Sequence, residues 1–376
     1  VPLGLYIHVP FCLRKCPYCD FLSFPYQEAL AEEFLRALKV EMGLHRGLAP
    51  ESIYIGGGTP TVLSAQQLQA LLGALRESFP TGPSVEFTVE ANPATLDEAK
   101  CALLREAGVG RLSLGLQALR DELLSALGRL HGRADALAAV RLARAAGFED
   151  ISVDLIYGIP GQGLRDWEET LGETVALLGP QHISAYELTA EEGTPFHESL
   201  RKGLLRMPPE DEIAEMFLMA HQVLEAAGYG HYEVSNYALR ARECRHNLNY
   251  WRRGPYLGLG PGAHSFLQGR RWRNTPDLGL YIQGLLREGR PPKEDVHVLE
   301  PQEEAREFLM LGLRLREGIS LKEASELYGL GGLLRASEPL LREGFLGCEG
   351  GRLRPTVRGM LALNQVLLRL FGALGL

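Results

Sequence analysis

Residues 3–21 read LGLYIHVPFCLRKCPYCDF: a strand-like apolar run, Leu3–Val9, followed at once by a loop that carries Cys12, Cys16 and Cys19. Three thiols within eight residues, at the carboxyl end of a strand, are the soft donors that an iron–sulfur cluster requires. Electron-transfer clusters take four cysteines, one per iron. Here the loop supplies three and no fourth lies near, so one iron would stay open to an outside ligand. Zinc is the competing reading, but its sites favour paired C-x-x-C or C/H spacings and four protein ligands. His8 is the available fourth ligand, although it lies within the strand. Three structural cysteines are the plainest alternative, which so tight a loop argues against. Of the other cysteines, Cys101 falls in a helical pattern and reads as core, and Cys348 falls in a presumed hairpin.

Working outward, short apolar runs alternate with amphipathic stretches up to about residue 230. The expected strands are Leu3–Val9, Ser52–Ile55, Val85–Glu90, Arg111–Leu116, Ile151–Ile156 and His182–Glu187. Between them lie helical patterns. Leu68, Leu71, Leu72 and Leu75 share one helix face, with a Ser64/Gln67 capping box at the start and Leu63 placed to staple to Leu68. Thr95 and Glu98 repeat the box pattern. Six βα units imply parallel strands joined by right-handed crossovers, in either a doubly wound sheet or a partial barrel. The count fits both; in a barrel the chemistry sits at the carboxyl ends of the strands.

The expected division is a βα core over 1–230, a connecting segment with a short hairpin over 231–295, and a helical, winged-helix-like module over 296–376. The segment contains Gly258–Ser265 and Arg270–Arg273, and Pro291-Pro292 marks its end. In the last module, Ser320/Glu323 opens a helix, Gly344–Arg354 reads as a hairpin and Thr356–Leu370 as a final helix.

At 376 residues, 45% hydrophobic and 23% charged, the chain is ordinarily globular. Its formal charge of −8 argues against a general nucleic-acid binder. No apolar run is long enough to span a bilayer, and the N-terminus lacks a secretory signal. Clustered cysteines in a chain of this size point to a reducing compartment, hence the cytoplasm. Peripheral membrane contact stays compatible with this.

Further polar residues fall where strands end. Gly56-Gly57-Gly58-Thr59-Pro60 follows the second strand, offering bare backbone to a ligand or simply a tight turn. Glu90, Gln117 and Asp154 end or lie in strands, and Arg129 follows the next helix; together they outline a pocket. His246-Asn247-Leu248-Asn249-Tyr250-Trp251 is flanked by Arg245, Arg252 and Arg253. An imidazole suits haem iron, the aromatic rings suit a porphyrin face and the arginines suit propionates. Cys244 is a rival iron ligand. A packed motif with a solvated basic flank is the bland alternative.

The C-x-x-x-C-x-x-C spacing, with Tyr18 before the last cysteine, resembles the radical S-adenosylmethionine (SAM) superfamily. The segments IHVPFCLRKCPYCDF, IYIGGGTPT, VEANP, RLSLGLQ, DLIYGIPGQ and YEVSNYA narrow the likeness to the group of oxygen-independent coproporphyrinogen III oxidases and HemW haem chaperones. That resemblance implies an α/β fold, a partial (β/α)6 radical SAM barrel with a smaller C-terminal domain. It implies a 4Fe-4S cluster on Cys12, Cys16 and Cys19, with SAM on the open iron, cleaved to a 5′-deoxyadenosyl radical where that chemistry is used. SAM would contact Tyr6, Tyr18, Glu90, Gln117, Arg129 and Asp154, with Leu188 lining it, and Gly57, Gly58 and Thr59 near its amino group. The oxidases carry a further cysteine where this chain has Phe21, and an N-terminal segment before the cluster strand. The hexapeptide matches the HNxxYW pattern that the HemW group links to haem, which would place haem on His246. The resemblance thus implies haem delivery to acceptor proteins, with porphyrinogen decarboxylation, or another radical SAM reaction on a substrate the sequence does not name, as alternatives.

Overall fold

The computed structural model describes residues 2–376. All six expected strands form: β1 Gly4–Val9, β2 Ser52–Gly57, β3 Glu86–Ala91, β4 Arg111–Gln117, β5 Asp150–Tyr157 and β6 His182–Glu187. Each pairs in parallel with the next in chain order. That order decides the architecture. A doubly wound sheet reverses direction at a switch point and so carries helices on both faces. Here successive right-handed crossovers always add on the same side, which keeps their helices on one face and leaves the other to line a barrel interior.

Each strand shows both faces in alternation. Leu5, Ile7, Ile53, Ile55, Phe87, Val89, Leu112, Leu114, Ile151 and Val153 are buried in the main core. The intervening positions, among them Tyr54, Thr88, Glu90, Ser113, Ser152, Asp154 and Ser184, line the bore. The helix Ala65–Ser78 begins with the expected reciprocal box, Gln67 N–H to Ser64 Oγ and Ser64 N–H to Gln67 Oε1 both at 3.2 Å. It buries Leu68, Leu71, Leu72 and Leu75. The next box is corrected. Pro93–Thr95 is a 3-10 turn, and the helix Glu98–Glu106 is capped by Asp97, which accepts from Lys100 N–H at 2.8 Å.

Residues 231–295 are not a mere connector. Gly230–Glu233 (β7) and Asn236–Ala238 (β8) form a hairpin whose second strand runs antiparallel to β6. Tyr256–Leu259 (β9) lies parallel to the free side of β1. His264–Leu267 (β10), Arg270–Asn274 (β11) and Lys293–Val298 (β12) carry the sheet on to twelve strands. The glycine-rich stretch forms the ends of β9 and β10 and the turn between them, and the two strands approach closely: a Cβ on Gly258 would stand 2.1 Å from the His264 carbonyl oxygen.

The C-terminal part packs the helices Pro301–Gly312, Leu321–Tyr328, Leu333–Arg342 and Leu363–Leu374 against a three-stranded sheet, around its own core of Phe308, Leu309, Leu340, Leu353, Val366 and Leu370. Ser320 caps its helix through Glu323 N–H alone. The hairpin forms as Leu346–Glu349 with Arg352–Pro355. The expected last helix is broken at Ala362 into two. Among the described residues no helix is long and apolar enough to cross a membrane.

Candidate functional site

The cysteine loop is closed at its base, because Phe11–Cys12 pairs in parallel with Phe24–Pro25. Within it, Cys19 N–H donates to the Cys16 carbonyl at 3.1 Å. All three thiols are free, half-buried and on the wall of one cavity of about 430 Å³ in the bore. Cys12 Sγ lies 3.6 Å from Thr59 Oγ1, and Arg129 Nη1 donates to Cys16 Sγ at 3.7 Å. Burial pushes the Cys12 and Cys19 thiols up, so a bound metal would have to displace their protons.

His8 is excluded as a fourth donor. Its Nε2 donates to the Leu22 carbonyl at 2.8 Å and its Nδ1 accepts from Tyr6 O–H at 2.9 Å, while burial holds the ring neutral. Tyr6, expected at SAM, is spent on that contact and is not part of the cavity wall.

The glycine run has three separate reasons. A Cβ on Gly56 would meet the Glu90 carboxyl at 2.8 Å; one on Gly57, whose φ is +108°, would meet the His8 ring at 2.4 Å; one on Gly58 would meet the Phe11 carbonyl oxygen at 2.5 Å. Bare backbone here admits the protein's own parts and binds the run to the cysteine strand. Gly58 N–H goes to Val9 O and Thr59 N–H to Phe11 O, at 2.9 and 2.8 Å.

Below the cysteines, Glu90 accepts from Tyr54 O–H at 2.8 Å and from Gly57 N–H at 3.1 Å. Burial, and then Asp154, pushes its carboxyl up to about 7. Asp154, which accepts from Ser113 O–H at 3.4 Å, is pushed up to about 6 by burial. Neither has a salt-bridge partner among the described residues, an arrangement that favours a cationic ligand. Gln117 sits at a β-bulge with φ +71° beside Gly115. Arg129 donates to the Gly115 carbonyl at 2.7 Å, and its buried Nε has no partner among the described residues. Tyr18 and Leu188 complete the wall.

The hexapeptide lies at the floor of the same cavity, whose wall includes Cys244 and Asn247. Helix Arg245–Trp251 closes the amino-terminal end of the barrel, with Arg245 and His246 N–H both donating to Glu86 at 2.9 Å. His246 is 1% exposed, and both its nitrogens are engaged, by Ser52 Oγ at 2.9 Å and Tyr250 O–H at 2.8 Å. Cys244 is buried against Glu86 and pushed up to about 12. The arginines are committed too: Arg245 to Ser84 O and Glu86, Arg252 to Glu317, and Arg253 to Glu304, Glu307 and Tyr328. Trp251 carries the Arg314 guanidinium 4.4 Å from its ring centroid. The expected haem cradle is therefore occupied by protein.

The sequence reading missed Tyr54, Thr88, Ser113, Ser152, Ser184 and Tyr186, all on the cavity wall. Their signal was present as every-other-residue polarity in SIYIGG, EFTVEA, RLSLGLQ and HISAYE. Strands of a sheet covered on both faces read as continuous apolar runs instead.

The radical SAM superfamily's sequence model matches residues 6–173, and that of the HemN C-terminal domain matches 299–362. Together with the parallel six-stranded barrel and the three-cysteine loop, this defines a radical SAM protein. The haem chaperone HemW of Bacillus subtilis is 39% identical, covering 98% of each chain. Its Escherichia coli counterpart is 37% identical over 97% of each. The chain belongs to the HemW family. In fold it also matches the E. coli coproporphyrinogen III oxidase HemN, with a TM-score of 0.83 and 23% identity over 98% of this chain and 90% of that one.

Proposed function

We propose that this protein is a haem chaperone that binds haem and hands it to acceptor proteins in the cytoplasm, and that it carries a 4Fe-4S cluster and SAM in the barrel. The observation that carries the cofactor reading is the trio of free cysteines on one short loop at the wall of a single cavity. Haem binding rests on relatives named haem chaperones that match nearly the whole length.

Cys12, Cys16 and Cys19 would hold the cluster, which when bound supplies an open, electron-donating iron. Thr59 and Arg129 stand against two of the sulfurs. Glu90 and Asp154 give the cationic ligand its counter-charge, the unpartnered Arg129 Nε suits its carboxylate, and Gly57, Gly58, Gln117, Tyr18 and Leu188 shape the walls. The axial haem ligand is not assigned to His246, because iron could reach neither nitrogen without breaking a buried hydrogen bond.

Anaerobically reconstituted protein tests the reading. Expected are about four irons per chain in Mössbauer spectra, lost in Cys16→Ala, and a saturable Soret change on hemin addition. Metal analysis finding zinc without iron would undo the cluster, absent haem binding would undo the chaperone, and turnover of coproporphyrinogen with SAM and reductant would make the protein an oxidase.

A further inference from the structure

We propose that His246 is a positioning residue for SAM: seated under Tyr54 at the cavity floor, it fixes the Tyr54 hydroxyl on Glu90. This rests on the reading of the cavity as the SAM seat.

Four contacts give the imidazole a single orientation. One face stacks on the Tyr54 ring, with centroids 5.3 Å apart and planes 24° from parallel. Nδ1 meets Ser52 Oγ and Nε2 meets Tyr250 O–H, so the ring can neither flip nor spin freely. Tyr250 is held edge-on by Tyr256 at 4.7 Å. Below, Gly4 leaves the space: a Cβ there would stand 3.3 Å from His246 Cε1. Phenylalanine would keep the stacking and lose both hydrogen bonds.

Tyr54 joins this floor to the cofactor layer. Its ring rests on His246 and its hydroxyl donates to Glu90 Oε1 at 2.8 Å, while Glu90 Oε2 accepts from Gly57 N–H at 3.1 Å. An ordered Tyr54 O–H favours the charged Glu90 carboxylate, the form that attracts a sulfonium and an ammonium. The titratable groups facing Glu90 are Tyr54 on β2, Asp154 on β5, and Tyr6 and Tyr186 further round the bore. A loosened Tyr54 leaves Glu90 protonated to higher pH and weakens SAM. The route runs from helix Arg245–Trp251 through two aromatic rings to the glycine run without passing through solvent.

The test uses anaerobically reconstituted parent, His246→Phe, His246→Ala, Tyr54→Phe and the His246→Phe/Tyr54→Phe double variant, each checked for cluster content and circular dichroism. SAM affinity is measured by equilibrium dialysis from about pH 5.5 to about 8.5, and hemin affinity by Soret titration. Expected are about tenfold weaker SAM binding in each single variant, a pH profile displaced to higher pH, and a double variant no weaker than Tyr54→Phe alone. Hemin affinity stays at the parent value. His246 variants that bind SAM like the parent, an unmoved pH profile, or loss of the Soret change with SAM binding intact would overturn the inference. A parent that fails to bind SAM would remove the underlying reading as well, which separates the two failures.

Discussion

Gly57 shows what one missing methyl group does. Its φ of +108° is one that L side chains rarely adopt, and its Cβ would stand 2.4 Å from the His8 ring. Gly57→Ala is expected to cost at least about 3 kcal/mol and to displace His8 from Leu22 at the end of the cysteine loop; reduced cluster absorbance per chain after reconstitution is the readout. Glu41 is a second buried determinant. It accepts from Asn274 Nδ2 at 2.7 Å, from Gly260 N–H at 2.9 Å and from Tyr281 O–H at 2.5 Å. Gly260 in turn packs beneath the His8 backbone. Glu41→Ala strands three donors and is expected to lose about 3 kcal/mol in chemical denaturation. Glu90 and Asp154 hold protons more tightly folded than unfolded, with pKa values of about 7 and about 6. Their contribution to stability is therefore present below the ordinary carboxylate range near about 4 and is lost as pH rises toward 7. SAM affinity runs the other way, rising through the same window as the carboxylates ionise. Thermal midpoints with and without SAM, taken across that window, should diverge; parallel curves would refute the assignment of the two acids to the cationic ligand.

At the scale of elements, local chemistry decided most starts and stops. Ser64 and Gln67 set the beginning of Ala65–Ser78 as the pattern required, and Ser64→Ala should cost about 1 kcal/mol in denaturant titrations. Thr95 failed as a cap because Asn92 had already turned Pro93–Thr95, and Thr95 Oγ1 bonds Thr61 Oγ1 at 2.7 Å. The last helix is split at Ala362, whose φ of −104° and ψ of 27° leave the helical region. The strands carry more information than their number. Their alternating polar positions distinguish a sheet with a lined bore from one covered on both sides, a choice that counting βα units leaves open.

Across the whole molecule, the helix Arg245–Trp251 and the turn after it join barrel and C-terminal part. The Arg253 side chain, 9% exposed, meets Glu304, Glu307 and Tyr328, and Arg271 reaches Glu307 at 2.7 Å. Arg253→Ala leaves two partly buried carboxylates short of a partner. Hydrogen exchange should quicken in Pro301–Gly312 while β2 to β5 keep their protection; uniform quickening would show that Arg253 supports the whole fold and not this junction. The motif expected to meet haem thus reaches the barrel at one end and the C-terminal helices at the other.

By itself the sequence determined the cysteine loop, the six barrel strands and the glycine run, because each is written in neighbouring residues by spacing, periodicity or capping. Tertiary structure alone decided the rest. Tyr256–Leu259 completes the sheet beside β1 only because residues far apart in the chain pair there, and His8 drops out as a metal donor only because Leu22 and Tyr6 fold onto it. His246 has the composition of a haem ligand; the hydroxyls of Ser52 and Tyr250, brought to it by β2 and its own helix, leave its nitrogens nothing to give.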